Sequence, residues 1–180
     1  MNLYPVEAEI KRNLLGHTME VLDHLSHGFS VCIPYDTDNN HEPARKRGHR
    51  AHWAAILGYL IVVRQSDAMN IAGKMDKDFK YLKHLDRKNK ELPKSLLELI
   101  NKKQHKQIYV YARQGTSRLL HIWKLEELCL SNNNLTELSP YYSAQNFVIP
   151  ENDMIQGLCH QFLFIKPILL QNQYGECCIR

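Results

Sequence analysis

No run of apolar residues in this chain is long enough to cross a bilayer: the longest, Ala54 to Val63, is ten residues, about half of what a spanning helix needs. The first twenty residues carry Glu7, Glu9, Lys11, Arg12 and Glu20 among their apolar positions, which excludes a secretory leader. A soluble protein is the expectation. The five cysteines stand at 32, 129, 159, 177 and 178, an odd number with no CxxC pair. That excludes a regular disulfide framework and fits reduced thiols in the cytoplasm. No internal repeat is present, and no aromatic stripe of the kind that stacks on RNA bases.

What is present is enough for one domain with a sizeable core: 180 residues, 44% hydrophobic and 23% charged. The net charge of +4 is concentrated. Residues 74–106 hold eleven Lys or Arg against five Asp or Glu, a local charge of +6 that leaves −2 for the rest. A nucleic-acid face is one reading of such a segment, and a solvated helical surface is the commoner one. With no stacking residues beside it, we expect a basic helical insertion at the periphery, no nucleic acid and no membrane.

Hydrophobic spacing predicts an amphipathic helix over Val6 to Ser26, carried by Ile10, Leu14, Val21, Leu22 and Leu25 and closed near Gly28. Phe29 to Tyr35 reads as a strand ending at Pro34, and Asp36 to Pro43 as a polar loop. Ala51 to Val63 is apolar on both faces, the pattern of a central strand covered on each side. Two short helices follow between Asp76 and Lys103, broken at Pro93. Gln107 to Ala112 and Arg118 to Trp123 form a hairpin about the turn Arg113 to Ser117, and Lys124 to Leu130 begins a helix. Leu158 to Ile165 is the last buried strand, and Gln171 to Arg180 is a loose tail. The fold class is therefore α+β, with an antiparallel sheet from segments 29–35, 51–63, 107–112, 118–123 and 158–165.

The chemistry-bearing candidate is His52, which opens the apolar run directly after the basic loop Ala44 to Gly48. A histidine that serves a thiol nucleophile needs one ring nitrogen free and a rigid mount at a cleft edge, and a strand start provides the mount. His41, His49 and His52, with Cys32 upstream, also allow a zinc-binding domain. Their spacing matches neither HExxH nor CxxC.

Several segments in order resemble one family: Ile33-Pro34-Tyr35-Asp36, Asn40-His41-Glu42-Pro43, Gly48-His49-Arg50-Ala51-His52-Trp53-Ala54, the Gly58-Tyr59 pair six residues after His52, Ala112-Arg113-Gln114-Gly115-Thr116-Ser117, Trp123, Ser131-Asn132 and Gly157-Leu158-Cys159. Over about Glu9 to Pro167 the chain resembles the C-terminal portion of the actin maturation protease family. The resemblance implies a papain-like cysteine peptidase domain, here partial over 1–170, whose members remove an N-acetylated terminal Met or Cys from immature actin. It implies His52 as general base and, by position, Gln114 as the third group of a triad, with Arg113 and Ser117 near the substrate end and no cofactor. The family's nucleophilic cysteine and its proline-rich, profilin-binding segment correspond to sequence ahead of Met1, so this chain alone is expected to be inactive. Cys32, inside an apolar strand, reads as a small core residue rather than a replacement. A non-catalytic actin-binding or regulatory isoform is the alternative.

Overall fold

The computed structural model describes residues 5–63, 106–115, 117–140 and 153–168. Nearly all of the basic segment, up to His105, and the tail from Gln171, for which an insertion and a loose end were expected, lie outside the described residues. Within them, β1 (Val6–Arg12) is followed by a 3-10 turn (Leu14–His17), α1 (Thr18–Ser26), β2 (Ser30–Thr37), β3 (Pro43–Ala44) and β4 (Ala51–Val63). Then come β5 (Lys106–Gln114), β6 (His121–Lys124), α2 (Leu125–Asn132), the single turn α3 (Met154–Gly157) and β7 (Gln161–Pro167). One seven-stranded sheet runs in the order β1-β7-β2-β4-β5-β6, with β3 paired to β2. Every pairing is antiparallel. The expected α+β class and antiparallel sheet are found.

The first segment departs from expectation. Val6 to Arg12 is a strand, not the start of a helix, and only Thr18 to Ser26 is α-helical. Val6, Ala8 and Ile10 alternate with Glu7, Glu9 and Lys11, a period of two that a partner strand can use. That partner is β7, in register from Val6↔Pro167 to Arg12↔Gln161. Asn13, at a φ of 61°, turns the chain into the 3-10 helix and accepts a hydrogen bond from Gly16 N–H through its side chain. At the other end of α1, Gly28 at φ 81° supplies the left-handed residue that closes the helix.

The sheet has two unlike faces. Register places Val31, Ile33, Tyr35, Ala54, Ile56, Val110, Ala112 and Trp123 on one of them. There they are buried with Val21 and Leu25 of α1 and Leu125, Leu128 and Cys129 of α2. Fully burying a Val or Ile contributes about 1.5–3 kcal/mol, so this helix face dominates the core. Pro34 is tolerated in a central strand because β7 pairs with β2 only as far as Cys32 and β3 begins only at Asp36. Asn132 of α2 fills the gap, its side-chain amide donating to the carbonyls of Pro34, Leu158 and Gln161 at 2.9, 3.2 and 3.2 Å.

Smaller shifts have local causes. β6 starts at His121 rather than 118, since residues 118 and 119 form a bend. β7 starts at Gln161 rather than 158, because Met154–Gly157 forms a helical turn and His160 takes a φ of 62°. β4 is central, as expected, but only its helix face is covered by described elements. Among the described residues no helix is long and apolar enough to cross a membrane.

Candidate functional site

The loop that leads into β4 is organised around Asp36. This fully buried carboxylate accepts backbone N–H groups of Lys46 and Gly48, each at 2.8 Å, and of Arg50 at 3.0 Å. Three charge-assisted hydrogen bonds satisfy a buried carboxylate and fix the backbone two residues ahead of His52. Ser131 holds Asp36 in turn, taking its N–H at 2.9 Å and donating to its carbonyl at 3.0 Å. Gly48 adopts φ 101°, and a Cβ there would lie 2.3 Å from the carbonyl oxygen of Glu137. Only glycine fits. Glu137 itself binds Arg47 Nη1 at 2.9 Å and His49 Nε2 at 3.0 Å, so His49 is committed to holding the loop.

His52 stands opposite Tyr35 near the start of β4, on the helix face with Ala54 and Ile56. It is half-buried, and no hydrogen bond reaches its ring from the described residues. Burial first, then electrostatic interaction with Arg50 and His41, holds its pKa below the ordinary imidazole value, against an opposing pull from Asp36. A neutral ring with an open nitrogen is the form a general base needs.

Gln114 ends β5 on the same face. Ala54 pairs with it across the ladder, which places His52 two residues beyond that pairing, and Gln114 is almost fully buried. Its side-chain amide forms a hydrogen bond with Nδ1 of His41. His41 sits at φ 68°, and its carbonyl accepts from the Tyr35 hydroxyl at 3.1 Å. The ring of His121 stands edge-on to His41 at 5.9 Å, stacks on Trp123 at 5.4 Å and is hydrogen-bonded to Ser117 Oγ at 3.0 Å. One end of the sheet therefore gathers His41, His52, His121, Gln114 and Ser117. Arg113, one residue before Gln114, falls on the opposite face.

Sequence reasoning singled out His52 and Gln114, which the structure places at the same end of the sheet, but not His41 as the glutamine's partner, nor His121, nor Asp36 as the loop's anchor. Asp36 and His41 both lay within quoted motifs, which was the available signal. His121 had none.

The described cysteines lie apart from this cluster. Cys32 pairs with Ala55 and Leu163 on the opposite face from His52, and burial pushes its thiol up. Cys129 is pushed up to about 12 by burial. Cys159 is also raised by burial and donates its S–H to the Asn133 carbonyl at 3.2 Å. The three histidines considered for zinc do not share a site: His41 is bonded to Gln114 and His49 to Glu137. Among the described residues no group of three or more His, Cys, Asp or Glu is arranged to hold a metal ion.

Residues 2–60 match the family model described as actin maturation protease-like, C-terminal domain. The chain is 34% identical over 149 residues to the actin maturation protease of Bos taurus, covering 82% of this chain and 41% of the relative. The same figures hold for the Homo sapiens protein of that name. For Xenopus tropicalis the identity is 33% over 150 residues, 82% of this chain and 45% of the relative. The chain thus spans less than half the length of these relatives. No solved structure matches it.

Proposed function

The chain belongs to the actin maturation protease family, and from that premise we propose that it supplies the base-bearing part of a papain-like cysteine aminopeptidase site that processes the actin N-terminus. The observation that carries this reading is His52: a half-buried imidazole whose pKa is lowered, with no hydrogen bond to its ring from the described residues, mounted on a strand start that Asp36 anchors. His52 takes the proton of a cysteine thiol as sulfur attacks the carbonyl of the N-acetylated first residue. The S–C bond forms, the C–N bond to the second residue breaks, and the imidazolium protonates the leaving amine. Water then releases the acetylated residue from sulfur with His52 again as base.

None of the three described cysteines lies beside His52, and the family resemblance supports a thiol supplied by the part of the family protein outside the match. Gln114 acts through His41, orienting one ring while leaving His52 to face the thiol. The cytoplasm is the fitting compartment, since Cys32, Cys129 and Cys159 are all free thiols. A second reading, a non-catalytic actin-binding or regulatory form, is favoured by the lack of a nucleophile beside the base among the described residues.

Mass spectrometry of an acetylated actin N-terminal peptide separates the two. The chain alone is expected to leave it intact. Co-expressed with the remaining portion of the human relative, it is expected to remove the acetylated residue, and His52→Ala in the same pair to stop that removal. Actin-peptide binding without cleavage in every combination would instead establish the regulatory form.

A further inference from the structure

The face of the sheet turned away from α1 and α2 is largely apolar, its polar residues including Arg12 and Gln161 at one corner and Gln107, Arg113 and Lys124 on β5 and β6. Register places Val6 and Ile10 of β1 and Trp53 of β4 on it, Leu57 of β4 stands at the bulge between Ile56 and Gly58, and register again places Val62 of β4 and Ile122 of β6 there. Their exposures are 57%, 65%, 47%, 50%, 44% and 54%. Between them lie Leu163, Cys32 and Ala55, which continue the same row across β7, β2 and β4 through the pairs Ile10↔Leu163, Leu163↔Cys32 and Cys32↔Ala55. Six strands at about 4.8 Å spacing make this face about 24 Å wide. A contiguous apolar patch of that extent marks an interaction site rather than ordinary surface.

The edge strand shows which side is meant to be covered. An edge strand over one core normally turns its apolar residues toward that core and its charges to solvent. Here β1 does the reverse. Glu9 and Lys11 share the side of α1, where Lys11 binds Glu9 at 3.0 Å and Glu20 at 2.9 Å. Val6, Ala8 and Ile10 point to the open side. The central strand agrees with it, since β4 is apolar on both faces apart from His52.

We propose that this open face is the docking surface for the part of the actin maturation protease that lies outside the match, so that the sheet becomes the middle layer of the complete enzyme. The relatives supply the occupant's size: 59% of the length of the Bos taurus protein falls outside the 41% that this chain covers. A sheet with helices on one face needs a second apolar layer on the other, and an occupant of that length is large enough to provide it. The inference rests on the family reading above, which supplies the occupant; the ring of His52 itself lies on the opposite, helix-covered face near the start of β4.

The test co-expresses the 180-residue chain with the remaining portion of the human relative and measures complex formation by co-purification and sedimentation. The unaltered chain is expected to form a one-to-one complex, and docking is expected to shield Trp53 from iodide quenching. Trp53→Glu with Ile122→Glu should weaken the complex at least 30-fold, on the scale of losing a central anchor. Leu15→Glu, an equally exposed apolar position on the helix side, should not, nor should His52→Ala. Circular dichroism of each variant verifies that it folds, and the quenching measurement needs no variant at all. Absence of a complex, an undiminished complex in the double variant, or self-association of the chain through the same residues would overturn the proposal. A complex that forms as expected yet never cleaves the actin peptide would sink the peptidase reading and leave the surface standing.

Discussion

Asp36→Asn is the sharpest test of how the loop before His52 is held. The carboxylate is fully buried; one oxygen takes the N–H groups of Lys46 and Gly48, and the other takes that of Arg50. An asparagine of the same shape keeps one acceptor. In its better orientation the amide oxygen retains the two donors at 2.8 Å and turns its NH2 toward the Arg50 N–H, so two donors face each other. One charge-assisted hydrogen bond is lost, the other two are weakened, and a buried N–H is left unpaired; hydrogen bonds to charged groups are each worth about 1.5–3 kcal/mol and an unpaired donor costs a similar amount. Destabilisation of about 3 kcal/mol is expected, and somewhat more for Asp36→Ala. Urea denaturation at neutral pH measures it, and hydrogen exchange should show the amides of Lys46, Gly48 and Arg50 losing protection together. A variant within about 0.5 kcal/mol of the parent, the range of ordinary surface changes, would mean that the three amides find equivalent partners and that Asp36 does not anchor the loop.

Gly48→Ala should cost at least about 2 kcal/mol in the same denaturation assay, because the new Cβ meets a backbone oxygen at 2.3 Å as well as an unfavourable φ. Gly28→Ala, with φ 81° but open space around it, should cost about 1 kcal/mol, and equal losses at the two sites would contradict the steric argument. His24 and His52 both have pKa values lowered from 6.5, chiefly by burial, so the unfolded chain binds protons more readily than the folded one as pH drops. Their contribution is intact above about 6.5 and is lost as pH falls toward the folded values; denaturation at pH 7.5 and 5.5 should show lower stability at 5.5, with a flatter dependence in His24→Gln whatever its absolute stability. In the reconstituted peptidase, His52→Ala should reduce turnover by at least about 100-fold, the lower range for a general acid-base group, while His49→Ala, which loses its tie to Glu137, should act less severely and mainly through loop stability. Equal effects of the two substitutions would leave the base unassigned.

How far the sequence could be read depended on whether the deciding contact was local. The runs that became β2, β4 and β5 were legible because their apolar content is dense and their ends carry polar loops. The segment Val6 to Arg12 fits two periods at once, and pairing with β7, about 150 residues away in sequence, selects the strand. β5 was expected to end at Ala112 and runs on to Gln114, and spacing could not show that Gln114 would meet His41 rather than another ring, since a left-handed φ at residue 41 aims that side chain. Asp36 was harder still: its partners are backbone amides, which leave no trace in residue identity. In one respect the sequence pattern reaches further than the covered core. It requires β4 to be sheltered on both sides, while the helices shelter one, and the reversed alternation of β1 points to the same uncovered face. Two strands, one central and one at the edge, both place apolar residues on a face that no described helix covers, which is the pattern that the proposed docking on that face accounts for.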